Sequence, residues 1–148
     1  MLTNSLQGTQ ALILAGGRGE RLFPLTVFRP KPAIPFGGIL RIVDFTLSNC
    51  LNSNVTRVSL LTQYRHDDLY RYIRRNWSDL WNKSGVGWWS VNCVPPTSGK
   101  HYKGTADAVF QNLPELHQSE SETICLRSFC GFNFPKILQS RESCRRRS

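Results

Sequence analysis

Apolar positions fall in short runs separated by glycine- and proline-rich stretches. The first run, Ala11-Leu12-Ile13-Leu14-Ala15, is continuous and stops at Gly16-Gly17, which predicts a buried parallel strand opening into a loop. That loop continues through Arg18-Gly19-Glu20-Arg21-Leu22 to Pro24-Leu25-Thr26. Pro30, Pro32 and Pro35 then predict an extended segment from Arg29 to Gly38, because each proline pushes its predecessor out of the helical region. Arg41 to Asn52 reads as a helix turning Ile42, Phe45 and Leu47, or neighbouring residues, inward. A second strand is expected at Val58–Thr62. From Asp67 to about Asn82, Leu69, Ile73, Trp77, Leu80 and Trp81 recur at helical spacing and form one face of an amphipathic helix.

The tryptophans admit a stacking surface for bases or sugars, but core packing is the stronger expectation for Trp77 and Trp81. Trp88 and Trp89, flanked by Gly85 and Gly87, fit an edge strand. Gly104 to Leu116 reads as a loop entering a helix stopped near Pro114. Strand, helix, strand, helix in this order predicts an α/β domain with a mostly parallel sheet. Residues 1–118 form that domain. In residues 119–148 Ser, Arg and Cys dominate without a clean period, which reads as a basic tail, either disordered or translated in a shifted frame.

Composition narrows the picture. A chain of 148 residues has room for one domain with a modest core. No run approaches the roughly 20 apolar residues of a membrane-spanning helix. Met1–Gln10 carries neither a secretory h-region nor an Arg-rich amphipathic pattern, so a cytoplasmic location is expected. The five cysteines are odd in number and form no Cys-x-x-Cys pair, which points to reduced, structural thiols. A net charge of +9 suits polyanionic partners, nucleic acid or phosphorylated small molecules, although taken by itself it is better explained by a solvated face plus the Arg145-Arg146-Arg147 tail.

The chemistry-bearing stretch is Gly16-Gly17-Arg18-Gly19-Glu20-Arg21. Glycines let backbone N–H groups approach a phosphate chain closely, and the two arginines add fixed charge beside them. The dinucleotide fingerprint is excluded, because Leu22 stands where its third glycine belongs, and a P-loop is excluded by the missing Gly-Lys-Ser/Thr. Lys31, held between Pro30 and Pro32, reads either as a solvated lysine or as a pre-organised point charge for a polyphosphate.

Taken together, Leu12–Leu22, Pro24-Leu25-Thr26, Lys31-Pro32-Ala33 and Phe36-Gly37-Gly38 resemble the N-terminal signature of sugar-nucleotide pyrophosphorylases. Arg41–Phe45, Leu47–Cys50, Thr62-Gln63-Tyr64 and Gly104–Val109 narrow the resemblance to the glucose-1-phosphate adenylyltransferases (ADP-glucose pyrophosphorylases) of the bacterial, glycogen-making kind, from about Ala11 to Leu116. The resemblance implies an incomplete Rossmann-like nucleotidyltransferase domain. It also implies Mg²⁺-dependent joining of ATP and glucose 1-phosphate into ADP-glucose and pyrophosphate, without a covalent enzyme intermediate. It assigns Gly16, Gly17 and Gly19 to the triphosphate, and Arg21 and Lys31 to the charge on the leaving pyrophosphate. Gly104 and Thr105 fall near the nucleotide and Tyr102 at the sugar phosphate, while Arg29, Arg41 and Gln63 match regulatory positions. Asp44 and Asp107 sit inside matching motifs, with helix capping or structural bonding as the expected role.

Departures qualify what is carried over. Phe28 and Pro35 stand where some bacterial members carry Lys and His, so activation by a sugar phosphate is expected to be lost or altered. Gln63 matches a residue that links regulatory and substrate sites, but its usual tryptophan partner is replaced by His101, expected to be a polar surface residue. No Gly-Asp-His motif, whose aspartate binds the metal in the family, follows Leu116. The tail is expected not to supply the next parallel strand, and the chain to have impaired or no activity. The resemblance implies a homotetramer, although assembly is in doubt for this fragment; no membrane partner is expected, and nucleic acid is not the expected partner. Two other readings stay open, a pyrophosphorylase for another nucleotide sugar and a small basic nucleic-acid-binding or subunit-interaction protein.

Overall fold

The computed structural model describes residues 8–53, 55, 57–77, 90–96, 101–118, 123–128 and 136–138. Strand β1 (Thr9–Ala15) lies between β4 (Arg57–Thr62) and β6 (Thr123–Ser128) and runs parallel to both. β5 (Ser90–Val94) adds in parallel to β4, and β7 (Lys136–Leu138) adds antiparallel to β6, giving the order β5-β4-β1-β6-β7. A short antiparallel hairpin, β2 (Pro35–Phe36) with β3 (Leu40–Arg41), stands apart from this sheet.

Both faces of the sheet are covered, which is why β1 reads as an unbroken apolar run. Ala11, Ile13 and Ala15 point to one side, where α1 (Ile42–Asn52) and α2 (His66–Asn76) supply Val43, Leu47, Cys50, Leu69 and Ile73. Leu12 points to the other side, with Leu61, Ala108 and Leu116. The latter two come from α3 (Thr105–Gln111) and α4 (Leu113–Gln118).

Several expectations hold. The two first strands, the α/β architecture and the inward face of α2 are all present, and Trp77 is buried against the α1 side of the sheet. Leu80, Trp81, Trp88 and Trp89 lie outside the described residues. Asp44 and Asp107 both do structural work. Asp44 accepts the Arg41 N–H at 2.6 Å, and Asp107 accepts the Lys103 N–H at 2.8 Å, each just ahead of its helix.

Other expectations are corrected. In α1 the buried positions are Val43, Asp44, Leu47 and Cys50; Ile42 is half-buried. Phe45 is exposed, packing edge-on against Phe36 with ring centroids 5.6 Å apart. At 100° per residue Phe45 lies about 200° round the helix from Val43, so both cannot face the sheet. The 29–38 segment is not extended throughout, since Lys31–Ala33 closes one 3₁₀ turn through Ala33 N–H to Pro30 O at 2.8 Å. Pro32 fits there because a first turn needs no donor from it. The helix entered from Gly104 does stop near Pro114, at Gln111, because the proline has no N–H for the Phe110 carbonyl; a second helix, α4, then starts at once with the proline at its second position.

The largest correction concerns the segment after residue 118. Thr123–Ser128 is the next parallel strand, with Leu12 opposite Leu126 and Ala11 opposite Cys125. Ile124 and Leu126 point to the α3–α4 side and pack on the core there. Arg127, on the same strand, and the unpatterned flanks hid a three-residue apolar stretch that is too short to stand out by periodicity alone. Arg145–Arg147 lie outside the described residues.

Candidate functional site

At the carboxyl ends of β1 and β4 the structure opens a cavity of about 720 Å³. Open parallel sheets place their crevices at this end, because the strands stop there and the connecting loops diverge. Leu14 and Ala15 form its floor from β1, Leu61 from β4 and Ala108 from α3, while the loop from Gly16 to Leu22 forms a wall. Lys31 and Pro32 reach in from the 3₁₀ turn, and Gln63, Tyr102, Gly104 and Thr105 close the far side.

Every residue expected at the nucleotide and sugar phosphate lines this one cavity: Gly16, Gly17, Gly19, Arg21, Lys31, Tyr102, Gly104 and Thr105. They come from three segments up to 89 residues apart in the chain. Gln63 lines it too. Arg29 and Arg41 do not. Arg29 is exposed, and Arg41 is half-buried with its guanidinium 3.7 Å from the Tyr72 ring centroid, a cation–π seat on α2.

The loop is built around Gly19. Its φ is +67°, and a Cβ there would sit 2.9 Å from Thr26 Cγ2 and 3.2 Å from Lys31 Cβ. Only glycine meets both demands, a left-handed backbone and close packing on two side chains. The Gly19 carbonyl accepts the Leu22 N–H at 2.8 Å and the Thr26 hydroxyl at 3.1 Å. No carbonyl among the described residues accepts from the N–H groups of Gly17, Arg18, Gly19, Glu20 or Arg21. Those donors belong to a loop that lines a cavity, where a bound anion can take them.

Gly17 and Gly104 are different. A Cβ at either would meet nothing within 4 Å, so packing within the protein does not require glycine at these places. Both line the cavity. Glycine there leaves room for a ligand to come up against the backbone.

Charge favours an anion. Arg18, Arg21 and Lys31 line the cavity against a single described carboxylate, Glu20. Among the described residues no three His, Cys, Asp or Glu side chains gather as a metal cage. With Glu20 as its one carboxylate, the described lining does not make a protein-ligand cage for a divalent ion.

Gln63 ties the two sides together. Its Oε1 accepts the Tyr102 N–H at 2.8 Å, and its Cβ would lie 3.2 Å from a Cβ at Gly16. The residue expected to pair with position 101 is therefore bonded one residue on, while the His101 side chain is exposed. The Tyr102 hydroxyl donates to Val94 O at 3.4 Å and accepts from Asn112 Nδ2 at 3.2 Å, so this hydroxyl is held by the fold. On β5, burial pushes the Cys93 thiol up to about 12, which keeps it protonated and unreactive, in keeping with a structural thiol.

Sequence reasoning missed Glu20, Pro32, Leu61 and Ala108 as lining residues. Leu61 was legible in part, as the penultimate residue of a strand parallel to β1 on the pattern alone. No helix among the described residues is long and apolar enough to cross a membrane.

Comparison with known proteins covers the same stretch of chain. The family model described as nucleotidyl transferase matches residues 10–145, extending well past Leu116 where the quoted motifs end. Glucose-1-phosphate adenylyltransferase of Shewanella frigidimarina is 46% identical over 130 residues, covering 86% of this chain and 30% of that protein. The protein of the same name from Nitrosomonas europaea is 53% identical over 114 residues, 74% of this chain and 26% of its own length. That of Paramagnetospirillum magneticum is 48% identical over 124 residues, 83% and 29% respectively. The chain spans about 30% of the length of these curated relatives. With the parallel sheet, the loop after its central strand and a match over almost its whole length, the chain belongs to the nucleotidyl transferase family.

Proposed function

We propose that the cavity binds the triphosphate of ATP and the phosphate of glucose 1-phosphate, and that the chain is the nucleotide-binding part of a glucose-1-phosphate adenylyltransferase working in the cytoplasm. The observation that carries the reading is the loop from Gly17 to Arg21. Its donors have no protein acceptor among the described residues, and Arg18, Arg21 and Lys31 stand around the same space. Fixed donors and cations aimed at one volume stabilise an extended polyphosphate without reorganising when it binds.

In the reaction the sugar phosphate oxygen attacks the α-phosphorus of ATP in line, and pyrophosphate leaves. Nothing in this step requires a protein nucleophile, so positioning and charge neutralisation carry the catalysis. The amides of Gly17 and Glu20 would hold the triphosphate, with Arg21 and Lys31 offsetting charge that builds on the departing pyrophosphate. Thr105 and the backbone at Gly104 face the nucleotide, and the loop carrying Tyr102 borders the sugar phosphate. Mg²⁺, expected from the family resemblance, supplies further charge neutralisation when it accompanies the nucleotide.

Calorimetry with ATP tests the reading. Lys31→Ala is expected to weaken ATP binding about tenfold or more. Gly17→Leu is expected to block it while leaving the melting temperature near that of the parent, since the new side chain starts in open space. Competition with UTP, dTTP and GTP reads base preference. Unchanged ATP affinity in both variants would remove the loop from the nucleotide site.

A further inference from the structure

Thr26 does not line the cavity, yet it is 95% buried beneath the loop that does. Its hydroxyl donates to Gly19 O at 3.1 Å, and its methyl packs where a Cβ of residue 19 would be. From behind, the Tyr64 hydroxyl, next to the start of α2, reaches Val27 O at 3.0 Å and Thr26 O at 3.3 Å. Tyr64 is also absent from the cavity lining.

The consequence lies in one peptide plane. The Gly19–Glu20 bond is trans, since the one cis peptide among the described residues is Phe23–Pro24. In a trans peptide the C=O and the N–H point in opposite directions. The Gly19 carbonyl is drawn inward by two donors, Leu22 N–H and the Thr26 hydroxyl. The Glu20 N–H on the same plane is therefore turned away from Thr26, and no described protein acceptor takes it.

We infer that Thr26, braced by Tyr64, is a positioning residue that aims the Glu20 amide at the outer phosphates of the bound nucleotide. The inference rests on the ATP reading above. Without the hydroxyl, the Gly19 carbonyl keeps one bond instead of two, and the plane is free to rock. The ligand must then bear the cost of ordering it.

The test is calorimetry on the full chain with ATP, inorganic tripolyphosphate and AMP. Thr26→Val removes the hydroxyl and keeps the shape. It is expected to lower affinity about fivefold to tenfold for ATP and tripolyphosphate, the range of one lost hydrogen bond, with AMP changed less than about threefold. Thr26→Ser keeps the hydroxyl and is expected to bind like the parent. Tyr64→Phe is expected to lose affinity in the same direction, more weakly. Equal binding by the parent and Thr26→Val overturns the inference and leaves the ATP reading intact. A parent chain that binds neither ATP nor tripolyphosphate overturns both. An equal loss for AMP, or a loss in Thr26→Ser matching that in Thr26→Val, shows general loosening and also overturns the inference. Should Thr26→Val not fold, unchanged affinities in Tyr64→Phe do the same.

Discussion

Asp44 shows how much one buried carboxylate organises. Its Oδ2 accepts from the Arg41 N–H at 2.6 Å and the Tyr72 hydroxyl at 2.5 Å, while Oδ1 accepts from Trp77 Nε1 at 2.7 Å. Helix α1 is thereby stapled to α2 and its end. Burial, followed by the bond to Asp44, pushes the Tyr72 hydroxyl up to about 12 from its ordinary 10.0. The sign of the effect follows from that shift. Below the unfolded value both states are protonated and the contribution is complete. As pH climbs through 10 to 12 the unfolded chain ionises first, and the contribution is lost. Chemical denaturation followed by circular dichroism should therefore show stability falling over that window. Asp44→Ala should lose about 3 kcal/mol at neutral pH, because three donors are left without their acceptor. A structural role for Asp44 was legible from its place at a helix start. Its two aromatic partners, 28 and 33 residues away, were not.

At the scale of elements, the loop after β1 depends on a backbone shape that only glycine takes easily. Gly19→Ala puts a Cβ into a left-handed residue and against Thr26 Cγ2 at 2.9 Å, at a cost of about 1–3 kcal/mol. A lower melting temperature and loss of ATP binding are both expected; full binding with normal stability would show that the turn is not what shapes the site. The strands and the buried face of α2 were readable because period and length mark them. The phase of α1 was not, since Ile42, Val43, Phe45 and Leu47 offer two overlapping apolar arcs, and contact with the sheet selects Val43, Leu47 and Cys50. Strand β6 escaped notice for a related reason. Its apolar core, Ile124-Cys125-Leu126, is brief, and only its place beside β1 gives it structure.

For the whole molecule, the excess of positive charge, +9 overall, has a local expression in the cavity, where Arg18, Arg21 and Lys31 face one carboxylate. ATP affinity should then fall with ionic strength, by roughly tenfold between about 50 and 500 mM salt. The slope should survive deletion of Arg145–Arg147; if it disappears, the charge term belongs to the tail. Properties that depend on neighbours along the chain were available from the residues alone. A continuous apolar strand must be covered on both faces, and the glycines that end it permit a turn other residues resist. Properties that depend on where distant segments meet were not. Gln63 bonds Tyr102 across 39 residues, and β6 pairs with β1 across more than a hundred. Such partners are chosen by the path of the folded chain, because a hydrogen bond or a strand edge is satisfied by whichever group arrives, and no local pattern names it.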